Sequence, residues 1–116
     1  MTDKIKVDLK ELPASLTAHM QGKKFVFLKN EETNTALTQF AYGELLPGEV
    51  IAEHLHPSME EYFYFLGGRG NYKVGKENYA VETGSFVRIP AGTIHELSVR
   101  GNDNLLFVYC GIALSQ

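Results

Sequence analysis

Short apolar runs, separated by polar and glycine-rich turns, follow one another along most of this chain. The runs are rich in aromatic and β-branched residues, which favour strands. Turn signals recur every ~8–12 residues and no helical period exceeds two turns, which predicts an all-β sandwich or barrel. The predicted strands are 24–28, 37–46, 50–55, 61–66, 71–74, 79–81, 85–89, 93–99 and 105–112.

Two segments need a separate interpretation. Residues 1–24 have no long period and form a predicted N-terminal arm, in which 8–12 is a short helical turn or an edge strand. His19 lies in this arm without a nearby acid, so we expect an exposed or capped histidine and not a ligand. Residues 75–78 predict a four-residue hairpin loop.

Length and charge narrow the function classes. The chain has 116 residues, which predicts one domain over 1–116. Eleven basic and fourteen acidic residues give a net charge of −3 without a basic stripe, which argues against nucleic-acid binding. Lys23 and Lys24 are the only adjacent basic pair, and a solvated loop would explain them.

Two further features bear on the compartment. No apolar stretch approaches the ~20 residues of a membrane span, and the first residues lack an apolar signal core, so we expect a cytoplasmic protein that does not bind membranes. The single cysteine, Cys110, excludes an intrachain disulfide and is expected to be a small buried thiol.

The candidate chemistry lies around three histidines. His54 and His56 are two residues apart, so they would share one face of a strand. A second strand from Glu61 would return a carboxylate to them, and His95 offers a fourth group. Three imidazoles and a carboxylate suit Mn, Fe, Co, Ni, Cu or Zn. An octahedral ion would keep two open positions, whereas a tetrahedral zinc with four protein ligands would be structural.

The spacing of these residues resembles that of the cupin superfamily. The first motif covers 48–68, the second covers 84–99, and fifteen residues separate Gly68 from Gly84, as in compact single-domain cupins. The matching positions are Gly48, His54, His56, Glu61 and Gly68, followed by Gly84, Pro90, Gly92 and His95. The resemblance implies a double-stranded β-helix, which is a small jelly-roll barrel, with His54, His56, Glu61 and His95 as ligands of a divalent transition metal.

The match to the cupin motifs leaves two candidates for the glutamate ligand, and the second motif differs from the usual pattern at one position. Glu60 also fits the motif with Gly67, but the sequence after Glu61 resembles the usual continuation better, so Glu60 is expected to point away from the site. The second motif usually ends in asparagine, where this chain has Val99. Asn102, three residues later, is a candidate for the same role in the turn. Some cupins have lost their metal, so a hydrogen-bonded, metal-free barrel is the alternative to a metal centre.

Strand alternation predicts the surroundings of the ion. Val50 and Ala52 should share the face of His54 and His56, while Phe63 and Phe65 should share that of Glu61, and Leu97 that of His95. The pocket should therefore be strongly apolar and suit a small, partly hydrophobic ligand with a chelating pair of oxygens.

Three other side chains are weaker candidates. Arg88 is close to the second motif and could hold a substrate carboxylate, although a strand arginine more often faces solvent. Tyr64 and Tyr42 could supply a proton or a hydrogen bond, although cross-strand packing is the commoner role of such tyrosines.

The resemblance implies three functions. The first is a metal-dependent dioxygenase, isomerase, decarboxylase or lyase that coordinates a small oxygenated substrate through two atoms, with the metal as Lewis acid or oxygen-binding group. The second is small-molecule binding or sensing without turnover, and the third, ranked last, is a storage role. Small cupins commonly form homodimers, and residues 1–24 and 24–28 are the predicted edge for this contact.

Overall fold

The computed structural model describes residues 4–16 and 21–115, and His19 lies outside these described residues. Leu9–Glu11 and Asn30–Glu32 are short 3₁₀ turns. The strands in the described part of the chain are β1 (Ser15–Leu16), β2 (Lys23–Lys29), β3 (Leu37–Leu45), β4 (Val50–His54), β5 (Met59–Gly67), β6 (Arg69–Val74), β7 (Glu77–Glu82), β8 (Phe86–Ile89), β9 (His95–Arg100) and β10 (Leu105–Ala113). The predicted all-β class is confirmed.

The strands form two antiparallel sheets. Six strands are ordered β1-β2-β3-β10-β5-β8, and four are ordered β4-β9-β6-β7. This arrangement is the double-stranded β-helix that the motif spacing predicts. The four-residue hairpin loop predicted at 75–78 is wrong. Glu77 and Asn78 pair with Val74 and Lys73, so only Gly75 and Lys76 remain in the turn, and Gly75 adopts a φ of 62°.

The core lies between the inner faces of the sheets. Phe63 stacks on Tyr109 with a centroid distance of 4.9 Å and meets Tyr72 edge-on at 5.2 Å. Each fully buried apolar side chain of this size stabilises the fold by about 2–3 kcal/mol. The buried core cluster consists of Leu45, Phe63, Phe65, Tyr72, Val81, Ile89, Leu97, Leu105 and Phe107.

The outer face of the larger sheet carries a different set of aromatic side chains. Tyr64 is 46% exposed and Phe86 is 62% exposed. Cys110 pairs with Tyr62 and is only partly buried, not fully buried as expected. Burial raises the pKa of its thiol, with a smaller contribution from the charge of Glu61.

One edge of the larger sheet is formed by β1 and β2. The short strand β1 pairs only with Lys23 and Lys24, so it covers the beginning of β2. Lys4 donates a hydrogen bond to the Phe27 carbonyl at 3.0 Å and forms an ion pair with Glu32 at 2.9 Å. In the part of the chain that the structure describes, no helix is long and apolar enough to cross a membrane.

Candidate metal centre

A β-bulge in β4 sets the direction of the first histidine. Ile51 pairs with Leu97 and His54 pairs with His95, so Ala52 and Glu53 together face the single residue between those partners. The extra residue changes the phase of the strand, and Ile51 and His54 therefore both point inward. The prediction that Val50 and Ala52 share the inner face is wrong for this reason, and Ala52 is exposed.

Four side chains converge between the sheets. One donor atom from each of His54, His56, Glu61 and His95 lies within 4.8 Å of the other three. Glu61 Oε1 is 3.5 Å from His56 Nε2 and 3.3 Å from His95 Nε2. Two ligands bound at right angles to one ion, at about 2.1 Å each, would be about 3 Å apart. The donor atoms thus have nearly the separations that a transition metal requires.

The imidazoles are oriented by backbone carbonyls. His54 Nδ1 donates to the Ala52 carbonyl at 2.8 Å, and His95 Nδ1 donates to the Thr93 carbonyl at 2.9 Å. A carbonyl only accepts hydrogen bonds, so each Nδ1 carries a proton and Nε2 is the ring nitrogen left to act as a metal ligand. Such second-shell contacts are typical of metal-binding histidines.

His95 Nε2 is the least satisfied atom of the group. It is buried and has no hydrogen-bond partner among the described residues, and His95 is 1% exposed. A nitrogen lone pair that faces the Glu61 carboxylate at 3.3 Å is electrostatically unfavourable unless a positive charge lies between them. A cation bound by both atoms would remove this conflict.

Glu60 and Arg88 lie on the opposite side of β5. Arg88 donates two hydrogen bonds to Glu60, at 3.1 and 2.6 Å, and Tyr62 donates a third at 2.7 Å. These bonds lower the pKa of Glu60, with that from Arg88 contributing most. Glu60 therefore points away from the imidazoles, as the sequence predicts, and Arg88 is committed to an ion pair outside the cavity.

The comparison with known families fits this geometry. The model of the cupin domain, Cupin_2, matches residues 41–110, which is more than half of the chain. The chain belongs to the cupin family. The matched segment contains all four residues of the candidate metal centre and both sequence motifs.

Similar proteins extend the comparison. This cupin is 30% identical over 86 residues to the tetracenomycin polyketide synthase protein TcmJ of Streptomyces glaucescens, covering 73% of this chain and 58% of that protein. The chain spans about half the length of the curated relatives it matches.

Solved structures show the same fold. A predicted oxalate decarboxylase from Thermotoga maritima has a TM-score of 0.88 at 23% identity, covering 95% of this chain and all of that one. The cupin domain of Schizosaccharomyces pombe Cnp3 has a TM-score of 0.80 at 14% identity, covering 94% of this chain and 74% of that one.

The cupin motifs also hold the loops around the site. The strand β4 ends at His54, so His56 lies on the following loop, where Gly92 donates a hydrogen bond to its carbonyl at 2.8 Å. Gly68 has a φ of 79°, and a Cβ there would collide with the Asn104 carbonyl, so this turn requires glycine.

Val99, which replaces the usual asparagine of the second motif, packs against the core.

The candidate centre opens into a cavity of about 110 Å³. Its walls are largely apolar, as predicted, and include Ile51, Phe63, Tyr72, Phe107 and Tyr109. Phe65 and Leu97 were also expected beside the ion. Neither lines the cavity, because both are fully buried in the core behind these walls.

The mouth of the cavity is polar, which the sequence did not reveal. Lys24, Gln39 and Glu44 lie there. Lys23 and Lys24 were expected in a solvated loop, but they begin β2, and Lys24 pairs with Gly43. The apolar run after Lys24 predicted the strand correctly. It did not show that Lys24 would be the first residue of that strand to face the cavity.

The tyrosines of the cavity are not those expected. Tyr64 is exposed on the outer face, and Tyr42 donates a hydrogen bond to Glu44 at 3.1 Å. Burial, followed by the charge of Glu44, raises the pKa of Tyr42 to about 12. Tyr72 and Tyr109 line the cavity instead, and burial together with the charge of Glu61 raises the pKa of both phenols. Both are therefore neutral hydrogen-bond donors at neutral pH.

Proposed function

We propose that this cupin binds one divalent transition metal through His54, His56, Glu61 and His95. The metal would then hold a small oxygenated molecule through two of its oxygen atoms. Mn, Fe, Co, Ni, Cu and Zn all suit three imidazoles and one carboxylate. The supporting observation is the buried His95 Nε2, which has no hydrogen bond and faces a carboxylate at 3.3 Å.

The donor set fits such an ion. Because their Nδ1 atoms donate to carbonyls, His54 and His95 would coordinate through Nε2, and Glu61 is 6% exposed between the rings. When bound, the metal supplies a Lewis acid with open coordination positions. A dioxygenase, isomerase or lyase reaction on the coordinated molecule is the enzymatic form of this proposal.

The chain itself would orient the ligand and limit its contact with water. Ile51, Phe63 and Phe107 give the cavity an apolar wall, which lowers the local dielectric and strengthens the attraction between ion and ligand. Tyr72 and Tyr109 keep their phenolic protons and can donate hydrogen bonds to a ligand oxygen.

Two relatives carry names that agree with an oxygen-rich ligand. The Thermotoga maritima protein is described as a predicted oxalate decarboxylase, and TcmJ as a polyketide synthase protein. Oxalate and polyketides both present neighbouring oxygen atoms. These names support the class of ligand proposed for this chain and do not assign it a reaction.

Binding without turnover is the second candidate. Among the described residues that line the cavity, the carboxylates are Glu61, assigned to the metal, and Glu44, which accepts a hydrogen bond from Tyr42. The raised pKa values of Tyr72 and Tyr109 keep both phenols protonated at neutral pH, so neither can accept a proton there. The described part of the cavity lining thus offers no uncommitted carboxylate or phenolate base, which favours a binding or sensing role.

Elemental analysis tests the proposal. Protein purified without a tag or chelator should contain close to one transition-metal ion per chain, and His54→Ala or His95→Ala should lose it while keeping a β-type circular dichroism spectrum. Full metal content in both variants would contradict the ligand assignment. Turnover of an oxygenated substrate by the loaded protein would separate the enzyme from the binding protein. The cytoplasmic location and the homodimer stay predictions.

A further inference from the structure

Lys24 is placed on the inner face of the larger sheet and lines the same cavity as the candidate metal centre. Residues paired across antiparallel strands share a face, and Lys24 pairs with Gly43 while Gly43 pairs with the buried Phe107. Glycine at 43 is required here, because a Cβ would collide with the Phe107 ring. Gly43 also places no side chain beside Lys24, so the lysine lies along the open mouth of the cavity.

The ammonium group of Lys24 has no acidic partner among the described residues. Its polar contact is a long hydrogen bond of 3.5 Å to Gln39 Oε1. Lys4 and Arg88, by contrast, form ion pairs with Glu32 and Glu60. A partly buried cation without an acidic partner, at the mouth of a ligand-sized cavity, is suited to bind an anionic ligand.

We propose that Lys24 determines specificity by binding a carboxylate at the far end of the ligand. This inference rests on the proposed function, because the near end of the same ligand would coordinate the metal. The ligand class is then a short organic acid with two anionic ends, one of which carries a chelating pair of oxygens.

The charges of the cavity agree with a dianionic ligand. A divalent ion with Glu61 leaves a net charge of about +1 at the inner end. Lys24 adds one positive charge at the mouth, where Lys23 and Glu44 also lie and offset each other in charge. An apolar wall separates these ends, so both attract anions in a low dielectric.

The size of the cavity limits the length of the acid. Its volume is about 110 Å³, which is smaller than a cavity of about 150 Å³ that binds benzene. A short aliphatic diacid is larger than benzene, so it can bind only if its second carboxylate extends into the mouth. The two carboxyl-terminated 2-oxo acids 2-oxoglutarate and 2-oxoadipate are suitable probes, because their 2-oxo acid group chelates metals.

Calorimetric titration of the nickel-loaded full chain tests this inference, because a six-coordinate ion keeps open positions beside four protein ligands. The two diacids are compared with 2-oxopentanoate and 2-oxohexanoate, in which a methyl group replaces the second carboxylate. At least one diacid should bind roughly tenfold to a hundredfold more tightly than its methyl counterpart, as expected for a charge-assisted hydrogen bond. Lys24→Met and Lys24→Gln should abolish this preference, because they should lower the affinity for the diacid much more than the affinity for its methyl counterpart.

Two variants serve as controls. Lys76→Met removes the same charge from an exposed turn outside the cavity and should leave the preference intact. Lys24→Arg keeps the positive charge and should therefore keep much of the preference for the diacid. A β-type circular dichroism spectrum and the nickel content are measured for every variant, so that loss of fold or metal is not mistaken for loss of recognition.

The outcomes separate the two proposals. Nickel-loaded protein that shows no preference for the diacids, or binds none of the four acids, overturns the role of Lys24 and leaves the metal centre standing. A preference that survives in both Lys24→Met and Lys24→Gln also overturns it. Failure of the wild-type chain to take up any transition metal would overturn the proposed function and, with it, this inference.

Discussion

Glu60 and Glu61 are neighbours in sequence, yet they occupy opposite faces of β5. Glu61 is buried among three imidazoles, whereas Glu60 forms an ion pair with Arg88 on the outer face. Two side chains of the same chemistry therefore have different roles because a strand alternates its faces. Their separation shows that position along the strand, and not residue type, decides which carboxylate can take part in the site.

The rest of β5 repeats this contrast. Phe63 is 4% exposed in the core and Tyr64 is 46% exposed on the outer face. Changes on the inner face should therefore affect metal binding and stability, and changes on the outer face should have little effect on either.

The largest effect is expected for Glu61→Gln. Glutamine keeps the size of the side chain and removes its charge, so the affinity for a divalent ion should fall by at least about a hundredfold. Competition with a chromophoric chelator measures this loss. Glu60→Gln is the matched control and should keep the wild-type affinity. Equal affinities of the two variants would contradict the assignment of Glu61.

The next effect concerns stability. Phe63→Ala removes a ring that contacts Phe65, Tyr72 and Tyr109, so the free energy of unfolding should fall by about 3–5 kcal/mol. Tyr64→Ala should lower it by less than about 1 kcal/mol. Denaturant unfolding of both variants without metal checks this. Similar losses would mean that the two faces of β5 are equally packed.

The turn that ends β5 offers a smaller test. Gly68→Ala introduces a Cβ against the Asn104 carbonyl at a φ of 79°, and should destabilise the fold by about 1–3 kcal/mol. Gly84→Ala also has a positive φ of 93°, but its Cβ would have no atom within 4 Å. The same unfolding experiment should therefore give a smaller loss at Gly84. A larger loss at Gly84 would exclude the steric explanation.

The smallest effect is expected at Glu60, and it should depend on pH. The hydrogen bonds from Arg88 and Tyr62 lower the pKa of Glu60 in the folded protein. A carboxyl with a lowered folded-state pKa adds stability above its unfolded pKa of about 4.3, and loses it as the pH falls through the folded-state value. Glu60→Gln should therefore lower Tm slightly at pH 7, and the difference should disappear in acid. A constant difference from pH 7 to pH 3 would contradict this explanation.

The sequence was most informative where the strands are regular. The alternation of β5 predicts the directions of Glu60, Glu61 and Phe63 correctly, because the seven residues 59–65 pair with β10 without interruption. In β4, alternation predicts Val50 and Ala52 as inner residues and is wrong, because a bulge depends on the pairing partner and leaves no clear signal in one strand.

The mouth of the cavity shows a second limit. Lys24 and Tyr109 come from strands that are distant in sequence, and only the pairing of β2, β3 and β10 places them around one cavity. Motif spacing identifies the ligands of the candidate centre because they lie within one compact pattern. It contains no information on strands outside that pattern, so the polar mouth was not predicted.

The bulge in β4 decides which side chain lines the cavity, so the width of the cavity depends on how the backbone of this strand is paired. With the bulge present, the branched side chain of Ile51 lines the cavity. In a regularly paired strand of the same sequence, the methyl group of Ala52 would take that place, two residues before His54. A chain that paired regularly here without losing a residue would therefore have a wider chamber around an unchanged set of ligands.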